Sequence, residues 1–359
     1  MRRCLALAER GTGLVSPNPM VGCVIVKAGR CLAEGWHRRF GGPHAERDAL
    51  AKAGARARGA TLYANLEPCC HWGKTPPCTE AILKAGIRRL VAPFKDPNPL
   101  VRGKGFSALR KRGVRLTVGA LSGEARELNR AFIKHAETGR PYVTLKTAMT
   151  LDGKICTRTG ASRWITSAPA RSWVHDLRSR VDAVLTGART VLRDDPVLSS
   201  HGRGRDPLRV IVDGRLSLPP ASRVFRGGSL TVAAITKAAP AGKIRRLQSR
   251  GVRTIVCPST GRGRVDLRVL LKSLGRMFVS HVLVEGGGEL NASLLEARLV
   301  DELAVLVAPK IFGGREALTP VEGEGVALPA QALKFRWTSV TRLGEDLILE
   351  ARPMTKEGK

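Results

Sequence analysis

The sequence predicts an α/β protein built from two successive layered domains. Short apolar strands alternate with helical segments along the chain, which is the pattern of an α/β layer fold. A Thr-Gly-Arg-Pro turn at 138–141 interrupts this alternation, which then restarts. The length of 359 residues suits two domains, and a hydrophobic content of 43% suffices for two cores. We therefore assign residues 1–139 to a first domain and residues 140–359 to a second.

In the first domain, the turn-forming Ser-Pro-Asn-Pro segment precedes the first expected strand. Strands are expected at 21–26, 61–63, 90–92 and 114–118. Helices are expected at 44–53, at 78–85 and, as a single helix, over 119–139. The helix at 44–53 follows a Gly-Gly-Pro segment, which is a typical boundary signal.

The second domain is expected to contain more strands than the first. They lie at 142–145, 181–186, 210–213, 230–235, 254–256, 282–284, 303–307 and 347–350, with a helix at 168–180. The segments 199–206 and 258–264 are rich in Gly, Arg and Ser and are expected to be exposed loops. The last six residues are expected to fray.

The charge of the chain is strongly positive but evenly spread. The 61 basic and 30 acidic residues give a net charge of +31, divided as +15 over 1–139 and +16 over 140–359. Only 4% of residues are aromatic, which leaves few surfaces for stacking bases. We therefore expect small anionic substrates rather than nucleic acid as the primary partner.

Targeting and redox signals point to the cytoplasm. No apolar run approaches the ~18 residues of a membrane span, and the N-terminus lacks the continuous apolar region of a signal peptide. The eight cysteines are too few for a disulfide scaffold in a chain of this length. We expect a cytoplasmic protein without a membrane partner.

A set of potential zinc ligands lies in the first domain. His44, Cys69 and Cys78 supply one imidazole and two thiolates, the donor types that a catalytic zinc ion takes together with a water. Glu46, on the first turn of the same expected helix as His44, is suited to move protons rather than bind metal. A structural zinc site with Cys70 or His71 as fourth ligand is the alternative.

The order His-x-Glu, Pro-Cys, Cys is the signature of the zinc deaminases. Here the two cysteines are nine residues apart, instead of the usual Cys-x-x-Cys spacing. The segments 16–22, 42–46 and 67–78 resemble the deaminase domain of the RibD family, bifunctional enzymes of riboflavin biosynthesis. The resemblance implies a cytidine-deaminase-like three-layer α/β fold, one zinc ion, and substrate contacts from Asn18, His71 and Lys74.

The second domain has a Gly-Gly-Gly turn between an expected strand and an expected helix, at 286–288. Such a turn can bring backbone N–H groups close to a phosphate, although a plain tight turn also explains it. Residues 142–155, 162–167, 177–178, 186–196 and this turn resemble the reductase domain of the same family. That resemblance implies a dihydrofolate-reductase-like α/β fold and NADPH as cofactor.

The resemblance also assigns individual residues of the second domain. Substrate-binding positions fall on Lys146, Ser162, Arg178, Leu198 and Glu285, and cofactor positions on Ala148, Trp164, Thr190, Asp194, Gly286, Gly287 and Gly288. Lys146 and Asp194 are both candidate proton donors. Simpler roles stay open: turns at Asn18 and Asp194, a surface position for His71, core packing for Trp164 and a solvated helix face for Arg178.

One position departs from the family pattern. An arginine usually follows Leu198 by three residues, whereas this chain has His201 there. We expect Arg203 or Arg205 to bind the phosphate instead, and a weaker affinity for substrate if neither does.

The leading hypothesis is a bifunctional, self-associating enzyme. It deaminates 2,5-diamino-6-ribosylamino-4(3H)-pyrimidinone 5′-phosphate and then reduces the ribosyl group of the product, 5-amino-6-(5-phosphoribosylamino)uracil, with NADPH. One alternative is a tRNA or nucleic-acid base deaminase with an RNA-binding C-terminal domain. Another is a zinc-stabilised regulator that binds nucleotides without turnover.

Overall fold

The chain divides between Arg140 and Pro141 into two compact units. A computed structural model describes residues 1–226 and 230–354. Within this part of the chain, no helix is long and apolar enough to cross a membrane. Of the six C-terminal residues expected to fray, only Met354 lies within the described residues.

The first unit contains one five-stranded sheet and six helices. Its helices are α1 (Arg2–Glu9), α2 (Ala45–Ala53), α3 (Cys78–Lys84), α4 (Lys104–Lys111), α5 (Ser122–Leu128) and α6 (Arg130–Thr138). Its strands are β1 (Gly22–Lys27), β2 (Arg30–Trp36), β3 (Thr61–Ala64), β4 (Arg89–Ala92) and β5 (Arg115–Val118). The order is β2-β1-β3-β4-β5, with β3, β4 and β5 mutually parallel and β1 antiparallel to both of its neighbours.

Helices cover both faces of this sheet because its central strands are apolar on both sides. In β1, Ile25 packs in a cluster with Ala49 of α2. The preceding residue Val24 points the other way and packs with Leu7 of α1. Successive side chains of a strand face opposite sides, so the two clusters make three layers. This confirms the predicted fold class.

The approach of α2 to the sheet depends on Gly35 in β2. A Cβ atom at this position would lie 2.4 Å from the carbonyl oxygen of Ala45 and 2.5 Å from the backbone nitrogen of Ala49. Only a glycine permits such an approach. The start of α2, which carries His44 and Glu46, is thereby held against the sheet.

The second unit contains, within its described residues, a nine-stranded sheet and five helices. Its helices are α7 (Ala168–Arg180), α8 (Ala188–Asp194), α9 (Ala241–Gln248), α10 (Leu267–Arg276) and α11 (Gly288–Glu296). Its strands are β6 (Tyr142–Thr150), β7 (Ala183–Gly187), β8 (Leu208–Val212), β9 (Thr231–Ile235), β10 (Arg253–Val256), the short pair β11 (Ser259–Thr260) and β12 (Arg264–Val265), β13 (His281–Val284), β14 (Glu302–Ala308), β15 (Phe335–Leu343) and β16 (Asp346–Pro353).

This sheet is parallel except at one edge. The strand order is β10-β9-β8-β7-β13-β6-β14-β16-β15, and only β16 and β15 run antiparallel to their neighbours. Leu185 in β7 packs with Leu271 of α10, whereas the preceding Val184 packs with Leu247 of α9. Ligands of such sheets bind beyond the carboxyl ends of the parallel strands.

Every predicted strand is present, with shifts of a few residues at its ends. The single helix predicted over 119–139 is wrong, because it is divided into α5 and α6 at Asn129. The Asn129 side chain accepts a hydrogen bond from Met20 N at 2.8 Å and donates one to Met20 O at 3.0 Å. The segment 258–264 holds β11, β12 and a short 3-10 turn rather than only loop.

Candidate functional site

Three potential metal ligands converge in the first unit. Nδ1 of His44 lies 3.5 Å from Sγ of Cys69 and 3.4 Å from Sγ of Cys78, and all three ligand atoms lie within 4.8 Å of one another. A tetrahedral zinc ion at ordinary bond lengths holds nitrogen and sulfur donors about 3.5 Å apart. The three side chains therefore fit a zinc ion.

Three elements bring these ligands together. His44 is the residue before α2, Cys69 lies in the loop after β3, and Cys78 begins α3. The loop after β3 is fixed by Glu67, which is buried. Its carboxylate accepts hydrogen bonds of 2.9 Å from three backbone N–H groups, those of Asp96, Gly103 and Phe106.

The His44 ring is oriented by Thr75, a residue that no sequence motif marked. Because Nδ1 of His44 faces both sulfur atoms, the other ring nitrogen carries the proton, and Nε2–H donates to Thr75 Oγ1 at 3.3 Å. Hydrogen bonds of this kind set the tautomer and the plane of a metal-binding imidazole. Thr75 lies in the long segment between the two cysteines, so part of that segment supports the metal ligands.

The acidic residue of the motif is beside the ligands and out of water. Glu46 is 4% exposed, and its carboxyl group contacts Cys78. Burial raises the pKa of Glu46 above its usual value. The hydrogen bond with Cys78, supported by His44, lowers the pKa of Cys69 to about 4. The carboxyl group of Glu46 thus contacts Cys78, whose thiol pKa is raised, while the thiol that ionises readily is that of Cys69.

The geometry does not favour the structural zinc alternative. Among residues 1–226 and 230–354, the ligand cluster includes neither Cys70 nor His71. Sγ of Cys70 instead lies 3.9 Å from the carbonyl oxygen of Leu100. A site with three protein ligands is of the catalytic type, because it leaves a fourth position for water.

A hydrogen-bonded chain holds the side chain of Asn18. The amide nitrogen of Asn18 donates to Nε2 of His37 at 3.1 Å, and Nδ1–H of His37 donates to Pro43 O at 2.9 Å. His37 is buried, which lowers its pKa and favours the neutral ring that this chain requires. The His37 ring also packs edge-on against His44, at 5.2 Å between centroids. Asn18 is therefore oriented beside the metal ligands rather than only forming a turn.

The remaining predicted substrate residues of the deaminase lie on the segment between Cys69 and Cys78. Nδ1 of His71 is buried without a hydrogen-bond partner among the described residues, which does not fit an ordinary surface histidine. Nζ of Lys74 lies 4.0 Å above the ring of Phe40. Trp72, between them, is 70% exposed. Their contacts with substrate stay a prediction.

In the second unit, all twelve residues assigned by resemblance line one cavity of about 1720 Å³. They are Lys146, Ala148, Ser162, Trp164, Arg178, Thr190, Asp194, Leu198, Glu285, Gly286, Gly287 and Gly288. Several of them follow the carboxyl ends of parallel strands, where ligands of such sheets bind. Their separate roles toward substrate and cofactor stay predictions.

Glu285 forms the charged centre of the cavity. Its carboxylate accepts from Arg178 Nε at 2.6 Å and from Arg178 Nη2 at 3.0 Å, and lies 3.0 Å from Lys146 Nζ. Burial alone would raise the pKa of Glu285, but Arg178 and Lys146 outweigh burial and hold that pKa well below its usual range. Arg178 is thus a buried ion-pair partner and not a solvated helix residue.

The glycine turn is both a packing feature and part of the cavity wall. A Cβ atom on Gly288 would lie 2.3 Å from Cγ of Glu322, so this position needs glycine for packing. A Cβ atom on Gly287 would meet only Thr190 Oγ1, at 3.4 Å. The tight-turn explanation therefore accounts for Gly288, while Gly287 faces the cavity.

Two further assigned residues are available to a ligand. Trp164 is 64% exposed with the Arg171 guanidinium 4.4 Å from its ring centroid, so core packing does not explain it. Asp194 accepts a hydrogen bond of 3.1 Å from Ser162 Oγ, and so does more than form a turn. Lys146 and Asp194 both line the cavity, which leaves both as candidate proton donors.

The structure gives no support to Arg203 or Arg205 as phosphate-binding residues. Arg203 pairs with Asp176 at 3.1 Å and Arg205 with Asp182 at 2.9 Å, and neither lines the cavity. His201 does line it, stacked on His175 of α7 with ring centroids 4.0 Å apart. No sequence pattern linked these two histidines, which are brought together only by the fold.

Two family models match most of the chain. Residues 1–93 match the cytidine and deoxycytidylate deaminase zinc-binding region, and residues 141–349 match the RibD C-terminal domain. The first match contains the three potential ligands and Glu46. The second contains every residue assigned to the cavity.

Known proteins resemble the chain over nearly its whole length. It is 42% identical to the riboflavin biosynthesis protein RibD of Actinobacillus pleuropneumoniae, over 98% of this chain and 93% of that one. It is also 42% identical to RibD of Aquifex aeolicus, over 97% and 96% of the two chains. The solved structure of Acinetobacter baumannii RibD has a TM-score of 0.91 at 36% identity, covering 99% of this chain and 98% of that one. A diaminohydroxyphosphoribosylaminopyrimidine deaminase/5-amino-6-(5-phosphoribosylamino)uracil reductase from Thermotoga maritima has a TM-score of 0.87 at 37% identity, covering 99% and 97%.

Proposed function

The chain belongs to the RibD family of riboflavin-biosynthesis enzymes, with a deaminase domain followed by a reductase domain, and from this premise we propose its two reactions. The first is hydrolytic deamination of 2,5-diamino-6-ribosylamino-4(3H)-pyrimidinone 5′-phosphate. The second is reduction of the product, 5-amino-6-(5-phosphoribosylamino)uracil, to the ribitylamino compound. The observation that carries the first reaction is the three-ligand cluster beside buried Glu46.

One zinc ion, held by His44, Cys69 and Cys78, is the metal that this donor set favours. Zinc bound there would lower the pKa of a coordinated water toward ~7 and so supply hydroxide near neutral pH. Glu46 accepts the proton of the attacking water and delivers it to the departing ammonia. Its burial beside Cys78 suits that role, because a buried carboxyl group exchanges protons with its neighbours rather than with bulk water.

Substrate recognition in the deaminase domain rests on Asn18, His71 and Lys74. Because Asn18 donates its N–H to His37, its oxygen remains as an acceptor for an N–H group of the pyrimidinone. His71 has a buried Nδ1 atom without a hydrogen-bond partner in the described part of the chain. Lys74 supplies a positive charge near the exposed rim of Phe40, which suits the substrate phosphate.

The reductase reaction is assigned to the large cavity of the second domain. A nicotinamide cofactor bound there would supply the hydride that reduces C1 of the sugar in its open imine form. Lys146, held at 3.0 Å from Glu285, can hydrogen-bond a ribosyl hydroxyl group or donate a proton. Asp194, hydrogen-bonded to Ser162, is the second candidate donor.

We propose NADPH rather than NADH, on the charges at the far end of the cavity. Asp213, after β8, is the carboxylate that could pair with an unmodified ribose diol, but it already accepts three hydrogen bonds of 2.9–3.0 Å from Ser217 and Leu218. Arg215 lines the cavity, with its Nε 3.2 Å from the Cβ position of Gly263. Among the described residues Arg215 has no ion pair, and such a guanidinium suits the additional phosphate of NADPH.

A coupled assay tests the proposed reactions. Purified, zinc-loaded protein is given the diaminopyrimidinone ribosylamine 5′-phosphate, and ammonia and reduced nicotinamide are followed separately. We expect ammonia without any cofactor, then oxidation of NADPH, with NADH oxidised at least about tenfold more slowly. Failure to release ammonia at full zinc occupancy would contradict the deaminase assignment. Equal use of NADH would contradict the cofactor assignment alone.

Zinc affinity should depend on Thr75. Thr75→Val removes the acceptor of the His44 Nε2–H at nearly constant volume, so we expect zinc to bind about 10- to 100-fold more weakly. Competition with a chelator measures this without any turnover. Thr117→Val removes a surface hydroxyl group that pairs with Arg89 in the same domain, and serves as the control. An unchanged dissociation constant in Thr75→Val would show that His44 is oriented without it.

The other hypotheses have less support. The match of residues 141–349 to the RibD C-terminal domain speaks against an RNA-binding second domain. The buried Glu46 beside a three-ligand cluster speaks against a regulator without turnover. Self-association of the chain stays a prediction, for which the mass of the protein in solution is the test.

A further inference from the structure

Three charged side chains that line the reductase cavity, Arg178, Lys146 and Glu285, are committed to one another. Arg178 donates from Nε and Nη2 to Glu285, and from Nη1 to Ser199 O at 3.1 Å, so each of its nitrogens has a partner. Lys146 also contacts Glu285. These three side chains carry a net charge of +1, which leaves a doubly charged phosphate group undercompensated.

Two histidines that line the cavity, His175 and His201, have ring nitrogens that are available to a ligand. Their rings stack at 4.0 Å between centroids with 22° between planes, and both line the cavity together with Arg178. Within residues 1–226 and 230–354, the ring nitrogens of His175 and His201 have no hydrogen-bond partner. The nearby Arg203 instead pairs with Asp176 and does not line the cavity. Two imidazoles can offer up to four N–H groups when protonated.

The loop that carries His201 holds it in place. Ser200 is buried and donates from N and from Oγ to Asp206 Oδ1, each at 2.8 Å. Leu198 is also buried, and both Leu198 and His201 have positive φ angles, of 59° and 54°. A non-glycine residue keeps such a backbone only where surrounding contacts impose it. The position of His201 over His175 is therefore built into the loop.

We propose that His175 and His201 together bind the 5′-phosphate of the reductase substrate, and that this makes the affinity of the second site for its substrate sensitive to pH. The inference rests on the proposed function and names the phosphate-binding element of its second site. His201 stands where the family pattern usually has an arginine, and unlike an arginine it must acquire its charge as a proton.

The surroundings explain why the proton arrives with the phosphate. The charged groups around the pair are Asp176 and Arg178 from α7, Arg203 from the His201 loop, Lys146 from β6 and Glu285 after β13. Burial, then His201 and Arg178, lower the pKa of His175 to about 4, so the free ring is neutral. A bound phosphate dianion would raise the pKa of the imidazole, because its negative charge favours the protonated ring. Affinity should then fall as pH rises, because fewer protons are available to the complex.

Reductase kinetics test the pair. Full-length protein is given the deaminated ribosylamino substrate and NADPH. We expect KM to rise about 3- to 10-fold from about pH 6.5 to about pH 8, with little change in kcat. His201→Arg should flatten this profile and lower KM at the alkaline end, and His201→Gln should raise KM and also flatten it. Arg205→Gln, four residues away, paired with Asp182 and outside the cavity, should keep the wild-type profile. A wild-type profile in His201→Gln would overturn the proposal.

A binding measurement separates this proposal from the proposed function. Imidazole Cε1–H resonances of the full chain are titrated by NMR with and without inorganic phosphate, which needs no turnover. We expect phosphate to raise the pKa of His175 or His201, and His201→Gln to abolish the effect. If phosphate leaves both titrations unchanged, the pair is not a phosphate site. If phosphate shifts them but no NADPH is oxidised, the phosphate site stands and the assigned reduction fails.

Discussion

Glu46→Gln is expected to abolish ammonia release while zinc stays bound. The substitution keeps the size and most of the contacts of a side chain that is 4% exposed, but removes its ability to accept and return a proton. Loss of general acid–base catalysis costs about 10²- to 10⁴-fold in rate, and here one group serves both proton transfers. Ammonia release and zinc content, measured on the same preparation, test the expectation.

The control for this variant is Glu80→Gln. Glu80 lies two residues after the ligand Cys78, on the first turn of α3, but it is exposed. Its replacement should leave ammonia release unchanged. The Glu46→Gln protein should also still reduce the deaminated substrate, since the altered residue lies in the other unit. Substantial ammonia release by Glu46→Gln would contradict the proton-transfer role, and loss of zinc would mean that the carboxylate is needed for the site itself.

The potential zinc ligands could be identified from the sequence because they lie in short segments, and the structure brings the three of them together. His44 and Glu46 are two residues apart at the start of one helix, so their relative placement is local. The spacing of Cys69 and Cys78 then identified the remaining donors. Here the pattern in the sequence and the geometry in space carry the same information.

Supporting residues could not be predicted in this way. Thr75 contacts His44 across 31 positions of the chain, and His175 and His201 are separated by the end of α7, by β7, by α8 and by a loop. Neither pair has a sequence pattern, because a threonine or a histidine alone is compatible with many surface roles. Only the packing of α7 against the loop after α8 brings the histidines together.

Errors in the fold have a similar origin. The segment 119–139 has the composition of one helix. In the structure the Asn129 side chain forms hydrogen bonds with both backbone groups of Met20, and the helix is interrupted there. This contact is distant in the sequence, so the interruption could not be predicted from the local pattern. Strand β2 was missed because its sequence, RCLAEGW, has no long apolar run and no β-branched residue. The edge strand β15 was missed because most of its residues are exposed on both faces.

Replacement of Glu285 is expected to have the largest effect on the second domain. Glu285→Gln leaves Lys146 and Arg178, whose side chains are 14% and 11% exposed, without their counter-ion. Breaking a buried ion pair by removing one partner costs about 3–5 kcal/mol. We expect the free energy of unfolding of the second domain to fall by about this amount and NADPH oxidation to be lost, with ammonia release intact as evidence that the first domain is folded.

Glu289→Gln is the matched control, four residues along the chain. Glu289 pairs with Arg264 at 3.2 Å, but both side chains are nearly half exposed, and exposed pairs contribute ~1 kcal/mol or less. Its unfolding free energy should therefore change little. Equal losses in the two variants would contradict the importance given to burial.

The pH dependence of the same variant gives a second test with a definite sign. The two cations hold the pKa of Glu285 below its usual value in the folded protein, so the unfolded chain binds the proton more readily. The stabilisation is therefore complete above the ordinary carboxyl pKa of ~4.3 and is lost as pH falls below it. The difference in unfolding free energy between wild type and Glu285→Gln should be constant from about pH 6 to 8 and shrink under acid conditions.

Adding Lys146→Met removes one unpaired cation, so the double variant should lose less stability than the two single variants together. Simple additivity would mean that Lys146 and Glu285 do not depend on each other, contrary to their 3.0 Å contact.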